Sequence, residues 1–125
     1  MTFLALVLVF KILGSLPLIA GPLLLASPER LGGGVALPAP MVATFRLYGV
    51  SILAVLVGYA YGVWLVGQGQ YPWGVVAMGL VSNFGGAAMM WRSGGWRRSR
   101  TTFAFILTVG TLLVVSAGLQ ALSPG

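Results

Sequence analysis

Hydrophobic residues along the chain fall into four long runs, separated by short stretches rich in glycine, proline and arginine. The runs cover about residues 2–25, 42–66, 72–91 and 101–122. At about 1.5 Å per residue, a helix over each run is long enough to cross a hydrocarbon core of about 30 Å. The pattern predicts an all-α integral membrane protein with a single membrane domain over residues 1–125.

The first run differs from a cleaved signal peptide. Signal peptides begin with a positively charged region, whereas no basic residue precedes Lys11, which lies inside the apolar run. We therefore expect a retained membrane helix. Pro17 and Pro22 lie in its second half, where each removes a backbone donor and predicts a kink or an early end.

The connections between the runs are short. The stretch SPERLGGGVALPAP predicts a loop with one helical turn that begins at Ser27, with Pro28 at its first position and Glu29 in its first turn. GQGQYP and RSGGWRRSR form the second and third connections. Short connections make successive helices antiparallel, so we predict an up-down bundle of four transmembrane helices.

Arginines are concentrated at the first and third connections, and none lies at the second connection or at either end of the chain. The positive-inside rule therefore predicts that loops 26–41 and 92–100 are cytoplasmic and that both termini are outside. Trp91 and Trp96 are expected at headgroup level. Near the surface, each basic residue attracts anionic lipid by about 1 kcal/mol. The predicted topology and lipid-contact residues are Arg30, Arg46, Arg92, Arg97, Arg98 and Arg100.

Composition excludes several function classes. The chain is 58% hydrophobic and 6% charged, and the residues behind its net charge of +6 lie almost entirely in the gaps between apolar runs, which argues against nucleic-acid binding. It has no His, no Cys and one acidic side chain, Glu29. Catalytic triads, paired carboxylates, zinc centres and haem held by His or Cys cannot be built from these residues. We predict a protein that is not an enzyme and that has no metal or cofactor.

Two polar side chains fall in the middle of apolar runs. Lys11 lies about 13.5 Å beyond Thr2 along a helix, where an ammonium costs about 2.5–3.5 kcal/mol. It either extends toward the outer headgroups or bonds to carbonyls freed near Pro17, or it faces a functional path. Asn83 is expected to form an interhelical hydrogen bond, or to line a polar path together with Ser82.

Small residues recur at helical spacing on the second and third runs. This pattern predicts that the two helices cross tightly. Tyr59 and Tyr61 are read as packing or interfacial residues, with a quinone or cofactor ring as the alternative. The predicted packing residues are Ala54, Gly58, Gly62, Gly79 and Gly86.

The segment from Ser27 to Tyr59 resembles the first loop and second helix of small four-helix bacterial membrane proteins of the DoxX-like type. In those proteins a proline-containing loop leads to an Arg and then to a Gly three residues later, matched here by Arg46 and Gly49. The resemblance implies the four-helix architecture and a bacterial inner-membrane location.

These features predict a non-catalytic accessory or assembly subunit that packs within a larger inner-membrane complex, with other membrane subunits or further copies of itself as partners. The alternative is a small oligomeric transporter or channel in which Lys11 and Asn83 line the path of an anion or polar solute. A quinone or pigment site completed by partner chains is a third possibility.

Overall fold

The structure, a computed structural model, describes residues 2–122, and four of its helices are long and apolar enough to cross a membrane. We call them the first to fourth spans. The predicted all-helical class and the four apolar helices are confirmed. Met1 and residues 123–125 lie outside the described residues, and the predicted location of the termini is not tested. The spans are Thr2–Leu25, Ala39–Gly67, Trp73–Ser93 and Arg100–Leu122.

The first span continues past both of its prolines. It is α-helical over Thr2–Ser15, turns as a π-helix over Leu16–Ala20 and is α-helical again over Gly21–Leu25. The Gly21 N–H donates to the carbonyl of Leu16, five residues back. A wider turn of this kind accommodates Pro17, which has no N–H to donate, and the helix continues to Leu25.

The first connection contains the predicted helical turn, Pro28–Leu31, and Ser27 Oγ accepts a hydrogen bond from the Arg30 N–H at 3.2 Å. The second span begins at Ala39, three residues before the predicted start. Pro40 is accommodated because the first turn of a helix has no internal acceptor for its N–H groups. In the third connection, Gly94 adopts a left-handed conformation (φ 76°) that ends the third span.

Successive spans pack side by side, and the fourth also packs against the first, which closes the ring. The most extensive contacts join the third span to the fourth and the first span to the second, while the second and third spans touch least among these neighbours. The buried core runs along the axis and includes Leu4, Leu8, Tyr59, Val109 and Leu113. The outward faces carry large exposed apolar side chains, which makes them compatible with contact to lipid.

The predicted tight crossing of the second and third spans differs from the structure. Ala54 is exposed, and a side chain at Gly79 would meet Leu113 of the fourth span as well as Tyr59 of the second. Gly58 and Gly62 do face the third span, but larger side chains of that span, Met78 and Val75, fill the space opposite them. Gly86 approaches the fourth span. Small residues permit close approach without specifying which helix approaches.

Candidate functional site

Lys11 and Asn83 meet at the centre of the bundle. The Lys11 Nζ donates to Asn83 Oδ1 at 2.8 Å, across the ring from the first span to the third. Lys11 is 4% exposed and Asn83 is fully buried. The ammonium is therefore directed into the bundle, neither toward the outer headgroups nor to the backbone near Pro17.

Asn83 uses its amide group to join three spans. Its Nδ2 donates to the Tyr59 hydroxyl of the second span at 3.1 Å and to the Gly79 carbonyl, one turn earlier on its own helix, at 2.7 Å. With both amide hydrogens and the amide oxygen bonded, Asn83 is held in one orientation. That orientation presents an acceptor to Lys11. Tyr59, Asn83 and Lys11 thus form one chain of hydrogen bonds. The sequence predicted Tyr59 only as a packing or cofactor residue.

The fourth span contributes an aromatic face to the same site. The ring centroid of Phe105 lies 5.0 Å from the Lys11 Nζ, within the range of a cation–π contact. Phe105 reaches the first span because Gly14 has no side chain, since a Cβ there would lie 2.5 Å from the ring. Every span therefore contributes to the environment of Lys11. The contact between Gly14 and Phe105 could not be predicted, because nothing in their spacing along the sequence indicates that they meet.

The polar groups at this site are not fully bonded to one another. A lysine ammonium has three donors, and within the described part of the chain Asn83 is its hydrogen-bond acceptor. The chain's one acidic side chain, Glu29, is exposed on the short helix of the first connection and does not pair with Lys11. One turn beyond Lys11, Ser15 is fully buried and its Oγ has no hydrogen-bond partner among residues 2–122. Among residues 2–122, the site thus holds a buried cation without a counter-charge, and an unpaired hydroxyl lies one helical turn away.

A cavity of about 190 Å³ adjoins Lys11. It extends from the ammonium toward the end of the bundle that carries the arginine-rich connections, which we call the basic end. Ser82, predicted to line a polar path, is in its wall, as is the hydroxyl-bearing Thr102. At about 30 Å³ per water molecule, the cavity has room for about six waters or a small ligand group. Its walls also include Ile19, Tyr48, Ile52 and Met90.

Arg46 has a structural role at the basic end. Its guanidinium donates to the Leu23 carbonyl at 3.0 Å and to the Ala26 carbonyl at 2.5 Å, where the first span ends. These carbonyls have no partner within their own helix, and a cation there also complements the helix dipole. Gly49, one turn later, lets Leu24 pack against the second span. The two residues that carried the family resemblance thus fasten the first span to the second.

The other basic residues of the two connections are exposed, as expected of surface residues: Arg30, Arg92, Arg97, Arg98 and Arg100. Trp91 and Trp96 stack with their centroids 5.3 Å apart, and the Arg97 guanidinium lies 5.2 Å from the Trp96 ring. Trp91, at the end of the third span, thus packs against Trp96 and Arg97 in the third connection. The depth of these residues relative to lipid headgroups stays a prediction.

Comparison with known proteins finds no matching family model, no matching curated protein and no matching solved structure. Membership of the DoxX-like proteins therefore stays a prediction.

Proposed function

We propose that the chain is a small membrane carrier that binds an anion or a polar solute at Lys11. The observation that carries the proposal is a buried ammonium, unpaired with any carboxylate of residues 2–122, beside a cavity that extends toward the basic end. An ionisable residue in the middle of a membrane helix is costly, and such residues commonly mark substrate or ion pathways. Asn83 acts as the positioning residue that holds the ammonium at the cavity wall.

The arrangement also accounts for selectivity by charge. Arginines at the basic end raise the local concentration of anions, and the low-polarity walls of the cavity strengthen attraction to the single cation within. A cation would meet repulsion at both places. The proposed ligand is therefore negatively charged, or is a neutral solute with strong hydrogen-bond acceptors.

The test is ligand-dependent thermal stability of the purified protein, followed by flux into liposomes. A ligand at about 100 times its Kd stabilises the folded state by about 2.7 kcal/mol. We expect such stabilisation by an anionic ligand in the wild type and its loss in Lys11→Met, which keeps the length of the side chain. Arg98→Met is the matched control, because it also lowers the net charge by one but lies on an exposed turn. Equal responses in the two variants would count against the proposal.

The accessory-subunit prediction rests on the small size of the chain and on its lack of catalytic groups. The accessory-subunit prediction and the carrier proposal differ in what they expect of Lys11→Met. An accessory subunit with this change should still assemble with its partners, and it has no transport activity that the change could remove. Native mass spectrometry after mild-detergent purification separates the two readings. Stoichiometric recovery with other membrane subunits supports the accessory role, and recovery as a homo-oligomer supports the carrier.

A further inference from the structure

We infer that the ligand of the Lys11 site is a single-chain lipid with a carboxylate headgroup, which reaches the site sideways from the bilayer between the second and third spans. The inference rests on the proposed function and narrows it to a substrate class and a route. It is carried by a groove on the lipid-facing surface, the wall that this groove shares with the cavity, and the positive charge of Lys11 at the inner end of the cavity.

The groove lies on the outer surface along the line where the second and third spans meet. Its volume is about 610 Å³, and its walls include the exposed residues Ser51, Val81, Gly85 and Met89. On the third span it covers residues 81–93, which is about 18 Å of helix. That length is close to half the thickness of a hydrocarbon core of about 30 Å, the depth of one layer of acyl chains.

The groove and the cavity share a wall. Five residues line both spaces, and two of them, Ser82 and Gly86, have small side chains, so the wall between the groove and the cavity is thin there. This thin wall lies where neighbouring spans have the least contact. A slender chain can therefore lie in the groove while the group at its end enters the cavity. The shared residues are Tyr48, Ile52, Ser82, Gly86 and Met90.

Charge and size define the group that enters the cavity. The Lys11 ammonium has donors beyond the one used by Asn83, and no carboxylate within residues 2–122 pairs with it. A carboxylate neutralises the ammonium and accepts the remaining hydrogen bonds, and charge-assisted bonds of this kind are strong. A cavity of about 190 Å³ is below the usual range of about 300–1,000 Å³ for sites that enclose a whole ligand. It suits a headgroup whose chain lies outside.

Gly85 offers a way to obstruct the groove without disturbing the bundle. A Cβ at Gly85 would meet no atom within 4 Å, so a side chain can begin there without a clash, and Gly85→Phe places a ring in the groove. Gly118, on the fourth span, is exposed and has equally open surroundings. Gly118→Phe is therefore a matched control that adds the same ring to a lipid-facing surface away from the groove.

The experiment uses full-length protein in phosphatidylcholine nanodiscs and palmitate that carries a photoreactive diazirine in its chain. We expect crosslinks on the groove residues of the second and third spans. Labelling should fall by about tenfold or more in Lys11→Met, the loss expected for a charge-assisted hydrogen bond. Gly85→Phe should likewise lower labelling, and Gly118→Phe should leave it at the wild-type level. Unlabelled palmitate should compete about tenfold better than hexadecanol, which has the same chain and no charge.

Soluble anions separate failure of the inference from failure of the proposed function. If acetate, hexanoate or phosphate stabilises the wild type in a Lys11-dependent way while palmitate does not label the groove, the lipid route is wrong and the carrier proposal stands. If neither palmitate nor any soluble anion responds to Lys11→Met, both are wrong. Equal competition by hexadecanol, or labelling unaffected by Gly85→Phe, would also overturn the inference.

Discussion

A double-mutant cycle on Lys11 and Asn83 measures the central contact of the bundle. Asn83→Leu removes the interhelical bond to Tyr59, worth about 0.6 kcal/mol on average in a membrane, and leaves the Lys11 ammonium without its acceptor. An unpaired cation at the helix centre costs about 2.5–3.5 kcal/mol, so the expected loss is about 3–4 kcal/mol. Lys11→Met removes the bond together with the charge and should change stability by about 1 kcal/mol or less in either direction.

The double variant Lys11→Met/Asn83→Leu should be more stable than Asn83→Leu alone, because no buried charge is left unpaired. It loses the Tyr59 bond and little else, about 1 kcal/mol. The two single changes should thus be coupled by about 2–3 kcal/mol. Reversible unfolding in mixed detergent micelles gives these values, with the fluorescence of the four tryptophans as the signal.

A second cycle supplies the control. Tyr71 bonds to Ser116 at 2.8 Å, away from the Lys11 site. Tyr71→Phe combined with Lys11→Met should be additive within about 0.5 kcal/mol. If the Lys11 and Asn83 changes are additive within the same limit, the two side chains do not pair and the account of the site is refuted.

Three further predictions concern packing and topology. Gly79→Ala should destabilise the bundle by about 1–3 kcal/mol in the same unfolding assay, because its Cβ would lie 2.6 Å from Leu113 Cδ1. Gly85→Ala is the control and should be neutral, since a Cβ there would meet no atom within 4 Å. Equal effects of the two changes would contradict the assigned helix faces. Arg46→Ala should cost about 1.5–3 kcal/mol and increase hydrogen exchange at the end of the first span, and unchanged exchange would argue against the clamp. Single cysteines at Gln68 and Ser99, in a chain that has no cysteine, should label from outside and inside respectively, and the reverse pattern would invert the predicted topology.

Hydrophobic patterning predicts the four helices well, since length and polarity alone decide whether a segment can cross a bilayer. The same reasoning singles out Lys11 and Asn83, because each is costly where it lies. It does not predict that they meet. They are 72 residues apart and lie on diagonally opposite spans, so their contact depends on the rotation of two helices about their axes. The hydrophobic pattern of a helix surrounded by lipid constrains that rotation weakly.

The sequence pattern also leaves two details of the fold undecided: which helix packs against a glycine, and which backbone form a proline causes. The small-residue motif on the third span predicts close contact with the second span at Gly79, and a Cβ there would meet Tyr59 of that span but also Leu113 of the fourth, because a glycine accepts any neighbour that fits. Pro17 indicates an irregular backbone without deciding between a kink, an end and a wider turn. The wider turn is compatible with a span that continues to Leu25.

The wide turn at Leu16–Ala20 also sets how the first span tolerates insertions and deletions. Such a turn holds one residue more than an α-helical turn, so deleting one residue within it would restore a regular helix and rotate the two halves by about 100° relative to each other. Lys11 would then face the centre only if Leu23 and Leu24 left the second span. The extra residue is what allows one helix to present a cation to the core and its carbonyl end to Arg46.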